Sequence, residues 1–125
     1  MAWRLLIVDD NTHFLAAARG LLEREGMTVV GVASTGADAM RLADSLRPDL
    51  TLVDVDLGEE SGFDLALRLT EADGGTAPVI LISAYPEEDL ADLVDASAAL
   101  GFLPKSSISA KAIKDLVRGK DLSAR

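Results

Sequence analysis

The sequence predicts a single α/β domain built on a parallel, doubly wound sheet between two layers of helices. Three observations carry that prediction. Short aliphatic or β-branched runs alternate with longer segments of helical spacing about five times along 125 residues, which is how strand–helix–strand crossovers read in a sequence. The first run, Leu5-Leu6-Ile7-Val8, is uninterrupted by polar residues, as a strand covered on both faces should be. The length, with 49% hydrophobic residues and no cysteine, suits one packed core that needs no disulfide or metal staple.

Taken in order, Asn11 or Thr12 is placed to cap a first helix with Phe14, Ala17, Ala18, Leu21 and Leu22 on one face and Gly26 as its stop. Thr28 to Val32 reads as the second strand. Ser34-Thr35-Gly36 opens a second helix through Ala39, Leu42, Ala43 and Leu46, closed by Arg47-Pro48. Leu50-Thr51-Leu52-Val53 is the third strand and ends at Asp54. A polar loop from Asp56 to Gly62 leads into a third helix around Leu65, Leu67 and Leu69, which Gly74-Gly75 breaks. Pro78 precedes the fourth strand, Val79-Ile80-Leu81-Ile82, ending at Ser83-Ala84. A helix from about Glu87 to Ala99, with Leu90, Leu93 and Val94 toward the core, is followed by a short fifth strand, Gly101-Phe102-Leu103, ending at Pro104-Lys105. Ser107 or Ser109 caps a last helix holding Ile113, Leu116 and Val117, and Lys120 to Arg125 is expected to fray. No linker, repeat or low-complexity tract interrupts the chain, so residues 1–125 are expected to form one domain.

Composition narrows the function classes. Without cysteine there is no disulfide framework, thiolate zinc, iron–sulfur ligation or cysteine nucleophile. A single histidine, His13, excludes histidine-rich metal sites and leaves only one route to a Ser-His triad. Twelve basic against 21 acidic residues give a net charge of −9, which opposes nonspecific attraction to nucleic acid or anionic membrane. A DNA-binding output is therefore expected on another chain. The apolar start is too short for a secretory segment and stops at Asp9-Asp10, and no run approaches a membrane span. The expected location is the cytoplasm.

The chemistry collects at the strand ends. Ligands of an open parallel sheet bind beyond the carboxyl ends of its strands, near the point where strand order reverses. Here strand one delivers Asp9 and Asp10, strand three Asp54, strand four Ser83 and strand five Lys105. Carboxylates about 5 Å apart repel by roughly 3 kcal/mol per pair at an effective dielectric near 20, so the trio should recruit a hard divalent cation such as Mg²⁺. One carboxylate could then attack phosphorus, with Lys105 and Ser83 addressing the phosphoryl oxygens. Each residue alone has a bland reading: an aspartate or serine after a strand caps a helix or forms a turn, and a lysine is a solvated charge. Two adjacent acids ending a buried strand resist that reading, because one cap would do.

These residues, in this order, resemble the receiver domain of two-component response regulators, and the resemblance runs from Arg4 to about Arg118. It implies a flavodoxin-like, five-stranded parallel sheet in the order 2-1-3-4-5 flanked by five helices. It makes Asp54 the phosphoacceptor, Asp10 and Asp54 direct Mg²⁺ ligands, Asp9 a ligand mostly through water, and the Asp56 backbone carbonyl the third protein ligand. Ser83 and Lys105 would bind the phosphoryl group, and Phe102 falls at the family's switch aromatic. The side chains of Asp56 and Tyr85 would flank the site and tune hydrolysis. The implied donor is a sensor histidine kinase or phosphotransfer protein, and the implied output face comprises the fourth helix, fifth strand and fifth helix. Departures from the family pattern are Gly58, where proline is frequent, and Pro104, which precedes the lysine rather than following it. Gly62 keeps its expected place. Segment 101–107 has some likeness to receivers joined to helix-turn-helix outputs, and the chain is either a stand-alone regulator or part of a longer one.

Other features have structural readings. His13 is expected to be solvated, Trp3 to pack at the end of the sheet away from the site, and Glu87-Glu88-Asp89 to favour a helix dipole. Two rival functions share part of this pattern. Asp54-Val55-Asp56 resembles the opening motif of haloacid-dehalogenase-type phosphatases, but the order of motifs is reversed and no cap domain is present. A receiver-like module that binds partners without phosphorylation would not need all five site residues.

Overall fold

The computed structural model describes residues 3–71 and 78–123; the break expected at Gly74-Gly75 lies outside them. Its elements are β1 (Arg4–Val8), α1 (Thr12–Arg24), β2 (Thr28–Ala33), α2 (Gly36–Leu46), β3 (Leu50–Asp54), β4 (Asp56–Leu57), β5 (Glu60–Ser61), α3 (Gly62–Glu71), β6 (Val79–Ser83), α4 (Glu87–Asp95), β7 (Gly101–Pro104) and α5 (Ala110–Ser123). A single 3-10 turn covers Lys105–Ser107. Five strands make one parallel sheet in the order β2-β1-β3-β6-β7. With the two-residue strands β4 and β5 set aside, that is the expected 2-1-3-4-5 arrangement.

Side-chain alternation along the strands divides the core into two layers. Leu5, Ile7, Leu50, Leu52, Ile80, Ile82 and Leu103 face Leu15, Ala18, Leu22 and Ile113, on α1 and α5. Leu6, Val8, Val53, Val79, Leu81 and Phe102 face Ala39, Leu65, Ala66 and Leu69, on α2 and α3. Every residue of β3 and β6 is buried, polar ones included. The uninterrupted apolar runs thus have the cause expected of them: each strand is covered on both faces.

Several boundaries and faces differ from the sequence expectation. Asn11 is the cap of α1, accepting from the Phe14 amide at 3.1 Å. Ala17 is exposed and Leu15 takes the buried position instead. Thr35 caps α2, and Ser109 accepts from the Ala112 amide at the start of α5. The α4 helix stops at Asp95 rather than Ala99. Ser97 ends it, donating to the Val94 carbonyl at 2.7 Å and accepting from the Ala99 amide at 3.2 Å; such local bonds compete with helix continuation. Leu93 is 55% exposed and Leu67 is 48% exposed, so neither is core. The last helix continues through Ser123, past the point where fraying was expected. The loop expected from Asp56 to Gly62 contains a small hairpin, β4 pairing antiparallel with β5.

Candidate functional site

The carboxyl edge of the sheet brings the predicted residues together. Asp9 follows β1 directly, and its amide extends the ladder to the Ala33 carbonyl at 3.0 Å. Asp54 is the last residue of β3, Ser83 the last of β6, and Lys105 follows β7. Adjacent parallel strands ending in register at one edge place their terminal side chains side by side. Carboxylate oxygens of Asp9, Asp10 and Asp54 accordingly lie within 4.8 Å of one another. Lys105 Nζ stands 2.6 Å from Asp9 Oδ2 and 2.9 Å from Asp54 Oδ2. Asp9 and Asp54 are buried and Asp10 is exposed, so the cluster opens to solvent on one side.

Burial is the main influence on Asp54. It raises the carboxyl pKa above the ordinary 3.8, with help from the Asp9 charge and against hydrogen bonds from Lys105 and the Asp56 amide. Burial alone would lower the Lys105 pKa, but hydrogen bonds to Asp9 and Asp54, and their charges, raise it above 10.5. The ammonium stays protonated at neutral pH. Each oxygen of Asp54 has one partner: Oδ1 accepts from the Asp56 amide at 3.1 Å and Oδ2 meets Lys105. A carboxylate offers about four lone-pair sites, so a lone pair remains for a further bond.

The remaining predicted residues divide. Ser83 is buried beside the cluster, its Oγ accepting from the Tyr85 amide at 2.9 Å. Tyr85 itself is 58% exposed. Phe102 is 5% exposed and packed within the α2/α3 layer of the core. The Asp56 side chain turns back on its own loop, accepting from the Gly58 amide at 3.1 Å. Gly58 has φ +76°, a conformation closed to proline; it occupies the first central position of the β4–β5 hairpin turn, where positive φ matches strand twist. That explains the departure from the family pattern. Gly62 is required for another reason: a Cβ there would run into the Asp54 carbonyl group.

Two residues outside the sequence prediction contribute. Phe14, read there only as core, lays its ring over Lys105 Nζ at 4.5 Å to the centroid. Glu60 accepts from the Gly36 amide at 3.1 Å, tying the hairpin to the start of α2. Helical spacing marked Phe14 as apolar but carried no signal for the lysine, which is distant in sequence. His13 is exposed, and Trp3 packs against the α1/α5 side of the core, as expected. The candidate metal donors fit a hard divalent cation. They are all oxygen, and three carboxylates, two of them buried, share one ammonium, so the excess negative charge favours a cation. Among the described residues, no helix is long and apolar enough to cross a membrane.

Comparison with known proteins agrees with this geometry. A family model described as the response regulator receiver domain matches residues 5–118. A putative transcriptional regulator of Pseudomonas aeruginosa is 33% identical over 102 residues, covering 82% of this chain and 49% of that protein. The transcriptional regulatory protein PdtaR of Mycobacterium tuberculosis is 29% identical over 120 residues, covering 96% of this chain and 56% of that protein. The chain thus spans about half the length of these curated relatives. The signal receiver domain of the putative response regulator NarL from M. tuberculosis superposes with a TM-score of 0.81 at 29% identity, over 94% of this chain and 98% of that one. A LuxR-family two-component response regulator from Aurantimonas superposes with a TM-score of 0.83 at 27% identity, over 95% and 87%.

Proposed function

This chain belongs to the response regulator receiver domain family, and from that premise we propose that Asp54 accepts a phosphoryl group from a phosphohistidine donor. The observation that supports it most directly is the pairing of Lys105 with both buried carboxylates, Asp9 and Asp54, at the edge where Asp10 adds a third. An Asp54 carboxylate oxygen attacks phosphorus, the P–N bond to the donor imidazole breaks, and its electron pair leaves on the ring nitrogen. The product on this chain is a mixed anhydride, an acyl phosphate. Phosphoryl transfer of this kind demands mainly position and charge neutralisation. Lys105 holds its ammonium beside the acceptor before reaction and beside a phosphoryl oxygen after it. Ser83 can turn its hydroxyl from the Tyr85 amide to a second phosphoryl oxygen.

Asp9, Asp10, Asp54 and the Asp56 backbone carbonyl are the proposed holders of Mg²⁺, which when bound supplies neutralisation of phosphoryl charge. The flanking side chains of Asp56 and Tyr85 are proposed to tune hydrolysis, and Ser83 and Phe102, on β6 and β7, to carry the change toward α4, β7 and α5. The donor is a sensor histidine kinase or phosphotransfer protein. The output partner is a protein met on that face, and the net charge of −9 argues against direct nucleic-acid binding by this chain. Residues 1–125 act as one cytoplasmic switch domain, catalysing its own phosphorylation and not turnover of a free substrate. Incubation with a small phosphodonor and Mg²⁺, followed by phosphate-affinity electrophoresis, tests the reading. Wild-type protein should shift and Asp54→Asn should not; equal labelling of the variant would overturn it.

A further inference from the structure

Lys105 reaches the site on a flexible four-carbon stem and could point to solvent instead. Its side chain is nonetheless only 18% exposed. Three residues close a circuit with it. Asp9 Oδ1 accepts from the Asn11 amide at 2.8 Å, and Asn11 Oδ1 accepts from the Phe14 amide at 3.1 Å. The Phe14 ring centroid lies 4.5 Å from Lys105 Nζ, which returns to Asp9 Oδ2 at 2.6 Å. The carboxylate that bonds the lysine thus also fixes, through the cap of α1, the ring that lies against it.

We propose that Phe14 is a positioning residue for phosphoryl binding, its ring holding the Lys105 ammonium over the acceptor. This rests on the phosphoryl role given to Lys105 above. The ring face is the negative end of an aromatic quadrupole and attracts the ammonium within about 6 Å of its centroid. An apolar residue of similar bulk would fill the same edge of the core without that attraction. The ring therefore favours the lysine rotamer that faces the cluster, and its contribution is read in binding of a phosphoryl group, not in binding of the cation by the three aspartates.

The experiment uses the full chain as wild type, Phe14→Leu and Phe14→Tyr. Calorimetry measures binding of Mg²⁺ alone, then of beryllofluoride, a phosphoryl mimic, in saturating Mg²⁺. Phe14→Leu should weaken beryllofluoride about fivefold, a loss of about 1 kcal/mol, while leaving Mg²⁺ affinity within about twofold. Phe14→Tyr, which keeps the ring, should stay within about twofold of wild type in both. Unchanged beryllofluoride binding by Phe14→Leu would overturn the proposal. So would equal weakening by both variants, or an equal loss of Mg²⁺ affinity, since either marks general packing. If the wild type binds Mg²⁺ but no beryllofluoride, the phosphoryl reading itself fails and this inference falls with it.

Discussion

Replacing Asp54 by asparagine should stabilise the metal-free protein. The carboxylate has Asp9 and Asp10 oxygens within 4.8 Å, and each pair repels by about 3.5 kcal/mol at an effective dielectric near 20. The Lys105 ammonium at 2.9 Å returns about 6 kcal/mol on the same scale. Repulsion exceeds attraction slightly, and loss of hydration adds to the excess. The raised pKa of Asp54 has the same sign: the folded chain disfavours this charge relative to the unfolded one. Asparagine keeps the shape and the oxygen that accepts from the Asp56 amide, so a net gain of about 1–2 kcal/mol is expected. Urea denaturation in a chelator at neutral pH measures it, with the fluorescence of Trp3, the sole tryptophan, as reporter from the edge of the core. The linkage sign fixes the pH dependence. A carboxyl whose folded pKa is raised contributes its stability at acid pH and loses it as pH rises through that raised value. The variant's advantage should therefore vanish below the ordinary 3.8 and open above it. Mg²⁺ should then reverse the ranking, since a cation at a hundred times its Kd adds about 2.7 kcal/mol to the protein that binds it. An asparagine variant less stable than wild type in chelator, or stabilised equally by Mg²⁺, would refute the reasoning.

Gly62→Ala should cost about 3 kcal/mol and lower Tm by about 10 °C or more in a thermal melt, because the added Cβ meets the backbone of Asp54 and Val55, which has no side-chain freedom to yield. Gly58→Pro, which restores a residue frequent in the family, should lose about 2 kcal/mol in urea denaturation, since φ +76° is unavailable to proline. Lys105→Met should lack an alkaline limb that the wild type shows. The lysine's raised pKa means its contribution is complete below 10.5 and lost as pH climbs through the raised value, which denaturation across pH 9–12 should display as a falling curve in wild type and a flat one in the variant.

Strands and site acids were legible in the sequence because both depend on local pattern. An apolar run ending in aspartate states burial and edge position together, and parallel pairing then does the assembly. What escaped prediction was non-local or conformational. Leu93 follows helical spacing in α4, yet it is exposed; periodicity gives a face but not whether anything covers it. Ser97 ended α4 early through its own hydroxyl bonds, a competition that composition does not rank. The Gly58 hairpin was read as polar loop because its strands hold only two residues each. Phe14 met Lys105 because α1 and the end of β7 converge on Asp9, a convergence that no spacing along the chain encodes.

The charge of the cluster connects chemistry to movement. Three carboxylates and one ammonium leave a net charge of −2, and a divalent cation brings it to zero. On the proposed chemistry, an acyl phosphate on Asp54 replaces one negative charge by about two, so the site would need new donors where it had been balanced. Among the described residues, the Ser83 hydroxyl is the buried polar group at the edge not yet paired with a charge. On the proposed chemistry its turn toward phosphate releases the Tyr85 amide just ahead of α4. That helix is weakly held: Pro86 at its start offers no side-chain cap and Leu93 lies open to solvent. Rearrangement should therefore fall on α4 before it reaches the sheet, whose β3 and β6 are wholly buried. Amide hydrogen exchange with and without beryllofluoride and Mg²⁺ should show protection changing first across residues 84–97 while β3 stays constant. A response confined to α1 or α2 would contradict this route.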